Sequence, residues 1–361
     1  IEASQGSKTS GDSLPPEKMK EIRNLYNQGK FEEILQQENA LMEEFSQVPL
    51  LINILGAANF RLGRDSRAIE LYKRVIALNP EYAEAYNNLG AVYKEDGDLT
   101  AAVDLFKRAI EVKPNYAEAH INLGRAYREK NNLPAAIKSF LRSVELKPDS
   151  ASAYNSLGVI HKDLKKIPDA INYLKRAIEL NPGYVDAINN LGVAETIHGH
   201  HDIAIQTFNH ALKLNPKDAT IYVNMGVCFK EQGNNEKAIE SYKRSIEIQP
   251  DLAEAHYNLG GVFIRSNQTS SAIESFQRAI ELKPNFAPSV CDLGLAYQED
   301  TELKAATEKY IDSLVIDPEY RQAWNNSFFT IKSLQLSGDA DLDLYYERLR
   351  TVDVNKTNYN I

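Results

Sequence analysis

The histidines near the middle of the chain are the residues with the clearest capacity for chemistry. His198, His200 and His201 are close neighbours in the sequence, and imidazole nitrogens this close together can share a zinc or nickel ion. The alternative is that they only fill turn and helix positions. We favour this alternative because no pattern of residues that would orient metal-bound imidazoles accompanies them. The sequence therefore predicts no metal site and no cofactor, although metal binding by this cluster stays open.

Sequence motifs of catalysis are absent from the chain. It contains no GxxxxGK[ST] phosphate loop, no GxGxxG that follows a strand, no HExxH and no GxSxG. The two cysteines, Cys228 and Cys291, form no CxxC pair, and we expect them to be reduced thiols of a cytoplasmic protein. We predict that this chain performs no catalysis on its own.

The charge balance of the 361 residues is acidic, with 41 Lys and Arg against 50 Asp and Glu and a net charge of -9. Nucleic acids and anionic membranes bind clustered Lys and Arg, so we expect neither as a partner. The longest uncharged stretch, residues 45–60, contains Pro49 and two asparagines and is too short and too polar to span a bilayer. The start of the sequence shows no apolar segment typical of a secretory signal.

A fixed spacing organises most of the chain. Eight prolines stand 34 residues apart, and glycines and alanines keep the same step. The prolines are Pro80, Pro114, Pro148, Pro182, Pro216, Pro250, Pro284 and Pro318. Such a period indicates one supersecondary unit that is repeated along a solenoid.

Each 34-residue unit contains two helical patterns. We number the unit from Ala83, so that Ala83 and its equivalents are position 1. In the first pattern, Tyr86, Leu89 and Tyr93 fall on one face of an α-helix together with Gly90. The second pattern contains Ala102 and Phe106 at positions 20 and 24 and is ended by the proline at position 32. Small residues at positions 8 and 20 predict that the two helices approach each other closely.

The turn between the two helices is predicted at position 15. Seven units carry Gly or Asn there, which are residues that adopt the positive φ of a helix C-terminal cap. Lys165 and Thr301 occupy the same position in two further units, and we expect those two turns to be built differently.

The recurring residues of the unit resemble the tetratricopeptide repeat (TPR) family. They are Tyr or His at position 4, Leu at 7, Gly at 8, an aromatic residue at 11 and 24, Ala at 20 and Pro at 32. The resemblance covers eight full repeats, residues 49–320, flanked by degenerate end repeats at 15–48 and 321–354, the second with Phe328 in place of Gly. Residues 1–14 are predicted to be disordered, and 355–361 form a polar tail. The resemblance implies an all-α solenoid, a right-handed superhelix of about ten helix-turn-helix repeats, whose first helices line a concave groove that binds proteins or extended peptides.

Two positions of the predicted groove carry recurring polar residues. Position 6 is mostly asparagine: Asn88, Asn122, Ser156, Asn190, Asn224, Asn258, Asp292 and Asn326. Position 12 is often basic, as in Lys94, Arg128, Lys162, Lys230 and Lys332. The asparagines resemble the ladder in the TPR arm of O-linked N-acetylglucosamine transferase, where side-chain amides bind the backbone of an extended polypeptide. We therefore predict a peptide-binding role for both rows, with ordinary consensus usage and surface charge pairs as the alternatives. The clamp of cochaperone TPR domains needs Lys or Arg at positions 2, 5 and 6, and the eight full repeats have none there.

The last predicted helix has an apolar stripe. It is formed by Leu342, Tyr345, Tyr346, Leu349 and Val352. A free end of a solenoid should be polar, so we expect this stripe to dock another domain or to mediate self-association. The sequence also lacks an initial Met, and its end segments resemble the borders of TPR arrays in bacterial transferases. We therefore expect a recognition arm of a larger, transferase-type protein, with a freestanding adaptor as the alternative.

Overall fold

The computed structural model describes residues 14–336 and 342–358, with side chains described as far as Val352. All regular secondary structure in these residues is α-helical, and they form no strand. The predicted disordered segment lies, apart from residue 14, outside the described residues. The helices belong to two compact units, residues 1–182 and 183–361.

The described residues of the first unit form eleven helices. They are α1 (Pro16–Asn27), α2 (Phe31–Leu35), α3 (Glu38–Glu44), α4 (Pro49–Arg61), α5 (Asp65–Leu78), α6 (Ala83–Glu95), α7 (Leu99–Val112), α8 (Ala117–Glu129), α9 (Leu133–Leu146), α10 (Ala151–Asp163) and α11 (Ile167–Leu180). From α4 to α11 the first helix of each repeat has 13 residues and the second has 14. The predicted pair of helices is confirmed in each full repeat of this unit, from residue 49 onwards.

The second unit continues the same alternation. It contains α12 (Val185–Ile197), α13 (His201–Leu214), α14 (Ala219–Glu231), α15 (Asn235–Ile248), α16 (Ala253–Arg265), α17 (Thr269–Leu282), α18 (Ala287–Glu299), α19 (Leu303–Ile316), α20 (Arg321–Leu336) and α21 (Leu342–Asn358). The second helices of the full repeats, residues 49–320, end shortly before the proline of position 32, which cannot continue a helix. Each unit is therefore an α-solenoid of helix-turn-helix repeats.

Glycine at position 8 allows the two helices of a repeat to touch. A Cβ atom added at Gly90 would lie 2.8 Å from the ring of Phe106, and one at Gly226 would lie 2.6 Å from the ring of Tyr242. These distances are shorter than any real contact, so the aromatic ring at position 24 occupies the space that a larger residue would need. The predicted close approach is confirmed.

The turn at position 15 has the same backbone conformation in nine repeats. Its φ lies between 54° and 87° in all of them, including Lys165 and Thr301. The prediction that these two turns are built differently is wrong. Two backbone hydrogen bonds explain why: the N–H of Thr301 donates to the carbonyl of Gln298 at 3.1 Å, and that of Glu302 donates to Tyr297 at 2.8 Å. The hydrogen bonds that end the helix impose the positive φ whatever the side chain is.

The first repeat departs from the others because its small residues are missing. Positions 8 and 20 are Ile22 and Ile34, both fully buried, so its two helices cannot approach as Gly and Ala allow. Its second half is divided into the short helices α2 and α3. Their apolar residues, together with Phe45, pack in one core with α4.

The last helix, α21, packs most of its apolar stripe against other helices of its own unit. Tyr345, Leu349 and Val352 are 2%, 5% and 3% exposed and lie in one core with Leu314 of α19 and Ile331 of α20. Most of the stripe is therefore covered within its own unit, whereas Tyr346 is 39% exposed, and docking through this face stays a prediction. The helix runs to Asn358, so residues 355–358 of the predicted polar tail continue it, and 359–361 lie outside the described residues.

The candidate binding face of the first helices

Within each unit, the first helices of consecutive repeats contact one another. In the first unit α6 contacts α4 and α8, and in the second unit α14 contacts α12 and α16. Residues at the same position therefore form rows across neighbouring helices. We call the residues at position 6 the amide row and those at positions 12 and 13 the charge row.

Pairs of asparagines join neighbouring repeats along the amide row. Asn88 Nδ2 donates to Asn53 Oδ1 at 3.1 Å, and Asn122 Nδ2 donates to Asn87 Oδ1 at 2.9 Å. In the second unit, Asn224 Nδ2 donates to Asn189 Oδ1 at 3.0 Å. Each bond connects position 6 of one repeat with position 5 of the repeat before it. The bond uses one N–H of the position-6 amide and leaves its second N–H and its carbonyl oxygen with further capacity, although the oxygen of Asn88 also accepts a long hydrogen bond of 3.5 Å from Asn87 Nδ2.

Sequence reasoning missed this pairing, although position 5 offered the information. Asn53, Asn87 and Asn189 precede the three paired asparagines by 35 residues each. Where position 5 is apolar, the pair does not form. Ser156 stands opposite Ile121 and donates to the carbonyl of Ser152 in its own helix at 2.9 Å.

The remaining members of the amide row are Asp292, Asn258, Asn190 and Asn326. Asp292 accepts a hydrogen bond from the hydroxyl of Tyr257 at 2.9 Å and a longer one from Gln322 at 3.4 Å. Burial raises the pKa of this carboxyl above its ordinary value. Asn258 faces Val223 at position 5, and it has no hydrogen-bond partner among the described residues. Asn190 and Asn326 are half-buried at the same position of α12 and α20.

The charge row in the first unit is held by ion pairs. Lys94 Nζ lies 2.7 Å from Glu95 and 3.4 Å from Glu129, and Arg128 Nε lies 2.8 Å from Asp163. These bases at position 12 thus meet acids at position 13 of the next repeat, which is the alternative that the sequence left open. Exposed pairs of this kind contribute about 0–1 kcal/mol each to stability.

Other bases of the charge row lack such a pair. Lys162 has no ion pair among the described residues. Lys230 lies 3.8 Å from Glu231 in its own helix, and position 13 of the next repeat is Arg265 instead of an acid.

A cavity of about 360 Å³ opens among α14, α16 and α18. It is lined by residues of both rows, Lys230, Asn258, Arg265 and Asp292, and by Gly261 at position 9. We call it the α16 cavity. Larger cavities of about 840 and 690 Å³ lie between second helices and are lined by equivalent residues in different repeats, as His120 and His256 show. Those cavities are a regular feature of stacking, whereas the α16 cavity contains residues that depart from the repeat.

The histidine cluster does not assemble a group of metal ligands. The rings of His198 and His200 are 4.6 Å apart, while His201 Nδ1 lies 3.9 Å from the sulfur of Cys228. The described residues contain no group of three or more His, Cys, Asp or Glu side chains placed to hold a metal ion. Both cysteines are buried, and burial raises the pKa of the Cys291 thiol to about 12. Thiols with such raised pKa values are poor nucleophiles at neutral pH.

None of the helices in the described part of the chain is long and apolar enough to cross a membrane.

Family models match most of the repeats. Models described as tetratricopeptide repeat, or TPR repeat, match residues 56–97, 82–149, 151–184, 185–218, 207–240, 228–266 and 253–286. The chain belongs to the tetratricopeptide repeat family. As a member of this family it is a protein-interaction scaffold. The comparison with curated proteins found no match to this sequence.

Three solved structures are similar to parts of this chain. The TPR protein YrrB, described as having an unusual peptide-binding site, is 27% identical with a TM-score of 0.41, over 52% of this chain and 96% of its own. The Cut9–Hcn1 tetramer of APC/C is 17% identical with a TM-score of 0.59, over 78% of this chain and 55% of its own. MamA is 28% identical with a TM-score of 0.41, over 48% of this chain and 96% of its own.

Proposed function

We propose that this TPR scaffold binds an extended polypeptide along its first helices and that the amide row reads the peptide backbone. The observation that supports this is the row of half-buried asparagines that keep a carbonyl oxygen and an N–H after pairing. Every residue of an extended peptide offers one backbone N–H and one C=O, whatever its side chain. Amides can pair with both groups and therefore select for extended backbone more than for sequence.

The expected affinity depends on several asparagines together. A neutral hydrogen bond contributes about 0.5–1.5 kcal/mol net, so a single amide has little effect on binding. The pairing with position 5 favours peptide binding because it fixes the rotamer of the position-6 side chain before the peptide binds. A side chain that is already ordered loses less conformational entropy on binding. The Asn–Asn pairs therefore support the proposed function and do not compete with it.

The test replaces Asn88, Asn122, Asn224 and Asn258 by Ala in the full chain. Binding is measured by fluorescence anisotropy with labelled peptides of random sequence. We expect affinity to fall by about tenfold or more, which corresponds to a loss of about 1.4 kcal/mol, while circular dichroism stays unchanged.

The control must separate lost peptide contacts from lost contacts between repeats. Replacing Asn87 and Asn189 by Ala removes the same hydrogen bonds to Asn122 and Asn224 but leaves both position-6 amides in place. This control should retain most of the affinity. An equal loss in both variants, or full binding by the folded quadruple variant, would show that the peptide does not use the amide row.

The wider context that we propose is a recognition arm of a transferase-type protein. What supports it is the resemblance of the end segments to the borders of TPR arrays in bacterial transferases. The buried stripe of α21 gives this context no support. The full-length gene product tests it: a reading frame that continues into a catalytic domain is expected, and one without such a domain favours a freestanding adaptor.

A further inference from the structure

We infer that the α16 cavity binds the carboxylate side chain of an acidic residue in the polypeptide that occupies the amide row. The inference rests on the proposed function and adds a preference for one kind of side chain at one place. It follows from three departures from the repeat pattern that meet in this cavity: a reversed charge, an unpaired amide and a missing side chain.

The reversed charge is Arg265 at position 13. In the first unit, positions 12 and 13 of consecutive repeats hold a base and an acid that meet at 3.4 Å in one pair and 2.8 Å in another. The same two positions in the second unit hold Lys230 and Arg265, both of which line the cavity. Arg265 has no ion pair among the described residues, and Lys230 has only the 3.8 Å contact with Glu231. Two neighbouring cations thus lack the acid that other repeats supply, and an external carboxylate would replace it.

The unpaired amide is Asn258. The asparagines at 88, 122 and 224 each donate one N–H to the asparagine at position 5 of the preceding repeat. Asn258 cannot do so because position 5 is Val223, whose side chain is buried in the core and offers no acceptor. Its whole amide is therefore available to a ligand in the cavity. An amide beside two cations can hold the peptide backbone while the carboxylate meets the cations.

The missing side chain is that of Gly261 at position 9. A Cβ atom added there would meet nothing within 4 Å, so the glycine is not required by packing. Other repeats carry larger residues at this position, such as Val227 and Leu295. Gly261 lines the cavity and leaves room for an incoming side chain beside Ile264 and Phe276.

Asp292 limits which anion fits. Its carboxylate lies in the same cavity and is held by Tyr257 and Gln322. The two cations, Lys230 and Arg265, and the carboxylate of Asp292 leave the cavity with one net positive charge, which one ligand carboxylate neutralises and a doubly charged anion exceeds. The observations therefore favour the carboxylate of Glu or Asp over a phosphate group.

The test uses three labelled pools of random-sequence peptides whose central residue is fixed as Glu, Gln or phosphoserine. Binding to the full chain is measured by anisotropy at low ionic strength. We expect the Glu pool to bind about fivefold more tightly than the Gln pool, and the difference should shrink as salt is added.

The variant Arg265→Glu, which restores the acid found at this position in other repeats, should abolish this difference in affinity without weakening the binding of the Gln pool. Arg265→Gln gives a milder second variant, and Lys217→Glu on an exposed turn is the control of equal charge change.

Each outcome separates this inference from the proposed function. Equal binding of the Glu and Gln pools, or a Glu preference that survives in both Arg265 variants, would overturn the acid site and leave backbone binding intact. Tighter binding of the phosphoserine pool would overturn the assignment to a carboxylate. If the affinity for the Glu pool depends on Arg265 but is unchanged by the position-6 substitutions, the acid site is supported and the backbone-binding function is contradicted.

Discussion

Side-chain identity at the turn residue matters less for conformation than the hydrogen bonds around it. Lys165 and Thr301 adopt φ of 58° and 65°, the region that Gly and Asn occupy in the other repeats. A β-branched residue with positive φ is a true outlier, since its side chain crowds the backbone there. Such residues cost about 1–3 kcal/mol and are tolerated because the surrounding helices fix the turn.

Thr301→Gly and Lys165→Gly should therefore each stabilise the protein, by about 1 kcal/mol. The gain should be larger for Thr301 because it is β-branched. The measurement is the urea midpoint followed by circular dichroism. Asn267→Gly is the matched control, since Asn267 already tolerates its φ of 54°, and its midpoint should move little. A lower midpoint for Thr301→Gly would mean that its side chain contributes more than the strain costs.

At the scale of the element, the two helices of a repeat are spaced by one glycine. Gly226 and Gly261 are both helical glycines in the second unit, but only Gly226 faces a ring of the second helix. The pair therefore separates the intrinsic helix preference of alanine from its effect on packing.

Gly226→Ala should destabilise the protein by about 1–3 kcal/mol, because its Cβ would lie 2.6 Å from the ring of Tyr242. Gly261→Ala should stabilise it by about 0.5–1 kcal/mol, since alanine is the better helix former and the space is open. Both changes add one methyl group to a first helix and are compared by urea unfolding. Similar effects of the two substitutions would contradict the role assigned to position 8.

The regular elements could be predicted from the sequence, but the contacts between repeats could not. Periodicity gives the helix pairs and their ends because Pro, Gly and Ala act locally, within one repeat. The amide pairs depend on two residues in different repeats, Asn87 with Asn122 for example, and a pattern read position by position does not relate them. The stripe of α21 shows the same limit, since its spacing reveals an apolar face and not whether Leu314 or another protein covers it. The peptide-binding residues themselves remain predictions.

At the scale of the whole molecule, stability is expected to be local. In a solenoid each repeat touches only its neighbours, so its stability is a sum of repeat and interface contributions. A defect in one repeat should then weaken that repeat and the adjacent ones and leave distant repeats unchanged.

Hydrogen exchange by mass spectrometry of Gly226→Ala checks this expectation. Amide protection should fall in α14–α16 and stay unchanged in α6–α8 of the first unit. The wild-type chain measured under the same conditions is the reference. Loss of protection of equal size throughout the chain would show that the two units unfold together as one cooperative block.

The link between position 5 of one repeat and position 6 of the next restricts how this gene can evolve by duplication and loss of modules. Removing residues 117–150 would keep the 34-residue frame and yet place Asn87 against Ser156, which cannot reproduce the amide pair with Asn122. Modules whose facing residues match can be copied in tandem, as Asn at both positions allows. Modules that carry Ile121 or Val223 at position 5 cannot be exchanged for them without altering the contact with the repeat that follows. The order of the repeats is therefore itself inherited information, even though each repeat has the same fold.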